Sequence, residues 1–113
     1  MHEMSLCEAI IETAEKQASI QQYKSVKCIH LEIGELSCVE AEAMHFAFDA
    51  VAKGSIADGA TLHIDRVPGQ GWCSQCEAKV KIKQRYDACP ICEFYPLDIR
   101  QGDAMRIKDM EVI

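Results

Sequence analysis

Two CxxC pairs, Cys73 with Cys76 and Cys89 with Cys92, stand twelve residues apart and constrain this chain more than any other feature. A CxxC turn aims two thiolates at one point. A short hairpin between two such turns gathers four sulfurs into a tetrahedron, the geometry that zinc accepts most readily. With all four positions filled by protein, no place remains for water or substrate, so such a zinc would hold structure rather than hydrolyse anything. A pair of disulfides is the plain alternative, and Cys89-Pro90-Ile91-Cys92 also has the form of a thioredoxin-like redox pair. A redox CxxC opens a helix inside a βαβ unit, whereas Phe94, Tyr95 and Pro96 continue this one as loop. Zinc is therefore the preferred reading.

At 113 residues the chain has room for one small domain and a metal-stapled appendage. Hydrophobic residues make up 49% and charged residues 27%, a globular balance. The net charge is −6, from 18 acidic and 12 basic side chains. Four zinc-bound thiolates would add about two more negative charges. Such a chain repels phosphate backbones, so nucleic acid is not an expected partner. The cysteine count of seven is odd, and the amphipathic pattern begins within the first few residues, without a signal peptide. A reducing cytoplasm is the expected compartment. No apolar run approaches the roughly 18 to 20 residues of a membrane span, and no internal repeat is visible.

Helical spacing of Leu6, Ile10, Ala14 and Ala18, flanked by Ala9 and Thr13, predicts a first helix to about Gln22, capped by Ser5 and Glu8 as a capping box. Cys7 lies just off that stripe and reads as a small packing residue. Alternation over 26–33 predicts a strand with Ile29, Leu31 and Ile33 on the core side and Cys28, His30 and Glu32 opposite, ended by Gly34. A second helix is expected from about Glu40 to Lys53, its apolar face formed by Ala43, Met44, Ala47, Phe48 and Val51, with Gly54 as the stop. His45 falls beside that face and reads as an ordinary histidine. Leu62 and Ile64 mark a second strand over 60–67, alternating with Thr61, His63 and Asp65. Pro68-Gly69-Gln70-Gly71 interrupts all periodicity and reads as a hinge. Val80 and Ile82 alternate with Lys79, Lys81 and Lys83 in a short strand whose basic edge is a solvated face. Residues 105–113 look extended and are assigned to a third strand of the first domain. The expected fold class is α/β: a small three-stranded sheet with two helices, plus an inserted four-cysteine module resembling a zinc ribbon. The domains are drawn at 1–67 with 104–113, and at 68–103.

The chain opens Met1-His2-Glu3. A free α-amine has a pKa near 7.7 to 8.0, so it can serve as a nitrogen ligand near neutral pH. The amine, the His2 amide nitrogen and the His2 imidazole can close fused rings around one ion, completed by the Glu3 amide or carboxylate. Nitrogen-rich planar coordination of this kind suits Ni(II) or Cu(II).

Met1-His2-Glu3-Met4-Ser5-Leu6, then Leu31-Glu32-Ile33-Gly34-Glu35-Leu36-Ser37, Phe46-Ala47-Phe48, Trp72-Cys73 and Cys89-Pro90-Ile91-Cys92 together resemble the HypA/HybF family of hydrogenase nickel-insertion proteins. The resemblance spans nearly the whole chain. It implies a cytoplasmic nickel metallochaperone, not an enzyme, that works as monomer or homodimer with a HypB-type GTPase. Its nickel would go to the large subunit of [NiFe] hydrogenase. Carried onto this chain, the resemblance assigns transient Ni(II) to Met1 (amine), His2 and Glu3, and structural Zn(II) to Cys73, Cys76, Cys89 and Cys92. Many members have Gly soon after the last zinc cysteine, where this chain has Glu93. Some place histidines beside the CxxC pairs, whereas the last histidine here is His63.

Two other classes compete. A zinc-ribbon module that binds protein or nucleic acid predicts a basic aromatic face, yet over 68–100 five basic side chains meet four acidic ones. A thiol oxidoreductase requires one CxxC pair to cycle while free of metal.

Overall fold

Residues 3–113 are described by the computed structural model. In chain order they form α1 (Glu3–Gln21), β1 (Val26–Gly34), a 3-10 turn (Glu35–Ser37), α2 (Ala41–Ala52), β2 (Thr61–Val67), β3 (Gln70–Cys73), β4 (Ala78–Lys81), β5 (Asp98–Gln101) and β6 (Met105–Val112). One sheet has the order β2-β1-β6 and the other β4-β3-β5. The cysteine-bearing sheet is thus inserted in sequence between β2 and β6, and the last strand returns to pair with β1. This is the α/β class expected from the sequence.

The described residues pack as two units, the first made of 3–31, 39–64 and 107–113 and the second of 32–38 and 65–106. In the first, α1 buries Cys7, Ile10, Ile11 and Ala14, and α2 buries Met44, Ala47, Phe48 and Ala52. Both sets repeat at three- and four-residue steps, so each helix turns one stripe inward, and the two helices pack on each other. Ile29 and Leu31 of β1 are fully buried, and Leu62 of β2 nearly so.

Two details of α1 correct the sequence reading. Helical backbone already begins at Glu3, so Ser5 lies inside the first turn, exposed like Glu8, and does not cap the helix. An N-cap residue needs non-helical dihedrals, which Ser5 does not have there. The buried stripe is also rotated: Cys7 is at its centre with no exposed surface, while Ala9 and Thr13 face solvent. Burying the adjacent pair Ile10 and Ile11 centres the face between them, and Cys7 and Ala14 lie on that line. The Cys7 thiol donates toward the Met44 carbonyl, 3.6 Å away on α2.

In the second unit the core is Leu36, Cys73, Val80, Ile82, Cys89 and Leu97, with Cys76, Phe94 and Ile99 packed against it. The expected hinge over 68–71 is only partly a connection, because Gln70 and Gly71 belong to β3. Gly71 is paired with Val80 on one side and Ile99 on the other. A Cβ at Gly71 would come within 3.2 to 3.3 Å of Leu97 and Ile82, and one at Gly69 within 2.5 Å of the Ile82 carbonyl oxygen. These glycines let chains approach closely rather than bend. Gly34 does the same, since its Cβ would lie 2.0 Å from the Gly102 carbonyl oxygen, which accepts a 2.7 Å hydrogen bond from the Leu36 amide. The lysine row is solvated as expected: Lys79, Lys81 and Lys83 are all exposed. No described helix is long and apolar enough to cross a membrane.

Candidate metal centre

Each CxxC pair sits on a tight turn whose backbone fixes the sulfurs. Cys73 ends β3 opposite Ala78, and Glu77, at φ 49°, takes the left-handed conformation that lets the chain reverse into β4. The Cys76 amide donates to the Cys73 sulfur at 3.4 Å. In the second knuckle the Cys89 amide donates to the Phe94 carbonyl at 2.9 Å, and the Glu93 amide to the Cys89 carbonyl at 2.8 Å. Glu93 has φ 64°, the conformation glycine adopts most readily.

The two turns bring the sulfurs together. Cys73 Sγ lies 3.5 Å from Cys92 Sγ, Cys76 Sγ lies 3.9 Å from Cys89 Sγ, and all four are within 4.8 Å of one another. With a Zn–S bond of about 2.3 Å, the edge of a tetrahedron is roughly 3.8 Å, so the spacing fits a four-thiolate zinc centre. A disulfide needs about 2.05 Å, and all seven cysteines are free. Cys73 and Cys89 are buried, Cys76 is half-buried and Cys92 lies toward solvent. The crowding shows in the thiol acidities. A hydrogen bond with Cys92, followed by burial, pushes Cys76 up to about 12, whereas the Cys92 amide, aided by that of Ile91, draws Cys89 down to about 7. Four thiols so close cannot all ionise without a cation among them. A divalent ion would supply the compensating charge.

Of the other expected ligands, Met1 and His2 lie outside the described residues. Glu3 opens α1, and its carboxylate accepts from the Glu40 amide at 3.5 Å. Among the described residues the structure gathers one more set of donors, Cys28, His30 and His63, within 4.8 Å of one another. Alternation had put Cys28 and His30 on one face of β1. Bringing His63 to them needs the order β2-β1, which no short-range pattern reveals.

A family model for hydrogenase/urease nickel incorporation, metallochaperone, HypA matches residues 1–112. The chain is 51% identical over 112 residues to the hydrogenase maturation factor HypA of Azotobacter chroococcum mcd 1, covering 99% of each. To the factor of the same name from Azotobacter vinelandii it is 47% identical over 112 residues, again with 99% coverage. The fold matches the solution structure of the nickel metallochaperone HypA from Helicobacter pylori with a TM-score of 0.74 and 26% identity, over 100% of this chain and 98% of that one. On its sequence from end to end, its two-sheet fold and its cluster of four cysteines, this chain belongs to the HypA family of nickel-incorporation metallochaperones, the hydrogenase maturation factors.

Proposed function

We propose that this protein carries Ni(II) for the maturation of [NiFe] hydrogenase, holding it at the chain's start and passing it to the hydrogenase large subunit with a HypB-type GTPase. The observation that carries the proposal is family membership over the whole chain, together with an opening of Met1-His2-Glu3. The Met1 amine, His2 and Glu3 are the nickel ligands in this reading. Cys73, Cys76, Cys89 and Cys92 hold structural Zn(II), which their spacing and donor type fit. The nickel-binding domain comprises 1–67 and 104–113, the zinc-binding domain 68–103, and the protein works in the cytoplasm without catalysing a reaction.

The two sites have opposite duties. Four thiolates with no open position retain their ion, whereas a few nitrogen donors at a chain end bind strongly enough for capture and weakly enough for transfer. The amine and imidazole compete with protons for the metal, so nickel affinity falls as pH drops below about 7. The test is nickel titration of tagless protein. His2→Ala, or one extra residue before Met1, weakens binding at least tenfold; unchanged affinity in either variant places the nickel elsewhere.

A further inference from the structure

Away from the four-cysteine cluster, the sheet of the first unit carries donors that the proposed function leaves unused. Cys28 and His30 are two residues apart on β1, so the pleat points them to the same face. β2 adjoins β1 and brings the His63 ring to 4.8 Å from the His30 ring, nearly parallel at 19°. Cys28 Sγ is 3.8 Å from His30 Nε2. A tetrahedral ion with bonds of about 2.3 Å to sulfur and about 2.0 to 2.1 Å to nitrogen separates those donors by roughly 3.6 Å. The remaining adjustment falls on His63, which is exposed and can turn.

The other side of β1 supplies what a metal-binding histidine requires. His30 Nδ1 is hydrogen-bonded to Asp109 Oδ1 of β6 at 2.5 Å. With its proton held on Nδ1, the ring presents the Nε2 lone pair toward Cys28. A carboxylate behind the ring in this way fixes tautomer and orientation and strengthens the donor.

We propose that Cys28, His30 and His63 form a second metal site, taking a Zn(II)- or Co(II)-type ion through one thiolate and two imidazoles, with Asp109 orienting His30. A donor set of one sulfur and two nitrogens excludes magnesium and calcium, which require oxygen. Three protein donors leave a fourth position of the tetrahedron for water or a further ligand, unlike the closed shell of a structural site. This site is independent of the amino terminus, and the protein then has room for two ions of this type besides nickel.

The experiment is a Co(II) titration of the full chain preloaded with one equivalent of zinc, in a His2→Ala background that removes the terminal chelate. The expected result is one further equivalent bound, with sulfur-to-cobalt charge transfer from a single thiolate and visible bands of tetrahedral Co(II). Cys28→Ser abolishes the charge transfer and Cys38→Ser leaves it intact. His63→Ala lowers affinity at least tenfold, and Asp109→Asn by about ten- to a hundredfold. Failure to bind the further equivalent overturns the proposal. So does a band that persists at full affinity in His63→Ala, a surface substitution that leaves the core untouched.

Discussion

At the scale of single residues, backbone conformation and thiol burial make the sharpest demands. Glu93 holds a left-handed φ of 64° inside the second knuckle, where a side chain is disfavoured by roughly 1 to 2 kcal/mol. Part of that gain is offset by the extra freedom glycine has when unfolded, so Glu93→Gly should stabilise the zinc-loaded protein by about 0.5 to 1 kcal/mol in denaturant titrations. Cys7 gives a pH signature. Its thiol is raised from 9.0 to about 11, first by burial and then by the charge of Glu3. Between those values the unfolded chain loses the proton while the folded one keeps it, so this contribution is full below pH 9 and is lost as pH rises toward 11. Comparing denaturation midpoints of the wild type and Cys7→Ala across that interval should show a steeper decline in the wild type. With zinc bound, Cys38 is the exposed thiol outside the tetrad, whereas Cys7 and Cys28 are buried. A thiol reagent should modify one cysteine rapidly, and Cys38→Ser should abolish that fast phase.

At the scale of elements, the 3-10 turn after β1 matters more than its length implies. Leu36 is 1% exposed and packs with Cys73 and Cys89, two of the four clustered thiols, and with Val80, Ile82 and Leu97. Leu36→Ala should cost about 2 to 5 kcal/mol. It should also speed zinc release to a chelator, because the same side chain shares a core with Cys73 and Cys89, one cysteine of each CxxC pair. A larger truncation on the helix pair, Phe48→Ala, should cost about 3 to 5 kcal/mol. It should leave chelator kinetics nearly unchanged, since Phe48 belongs to the other unit. Stopped-flow zinc transfer on the two variants separates these outcomes.

At the scale of the whole molecule, two of the six residues in the second unit's core are cysteines of the cluster, so an ion held by the four thiolates would be joined directly to that core. Removing zinc should loosen that unit first. Trp72, the single tryptophan, reports on it through fluorescence, while α1 and α2 in the first unit report through helical circular dichroism. A chelator should shift the tryptophan emission while most of the helical signal survives; simultaneous loss of both would contradict the idea that the first unit stands on its own core. Much of this molecule was legible in its sequence, because its strongest signals are local. CxxC spacing, helical repeats around Met44 and Phe48, and the alternation of Ile29, Leu31 and Ile33 all act over a few residues, so they announce themselves without knowledge of the fold. The α1 stripe was harder, since small residues such as Ala9 and Thr13 can sit inside or outside at little cost. Gly71 read as a hinge because glycine marks both loose turns and crowded crossings, and only the neighbours at Ile82 and Leu97 tell them apart. By itself the sequence determined the two helices, the strands with strong alternation, and four thiols able to meet, since each follows from periodicity or chain geometry over short range. Only tertiary structure decided that β6 closes on β1, that Leu36 belongs with the cysteines, and that His63 stands beside Cys28 and His30. Those juxtapositions come from which strands pair, and pairing is settled by burial summed over distant segments.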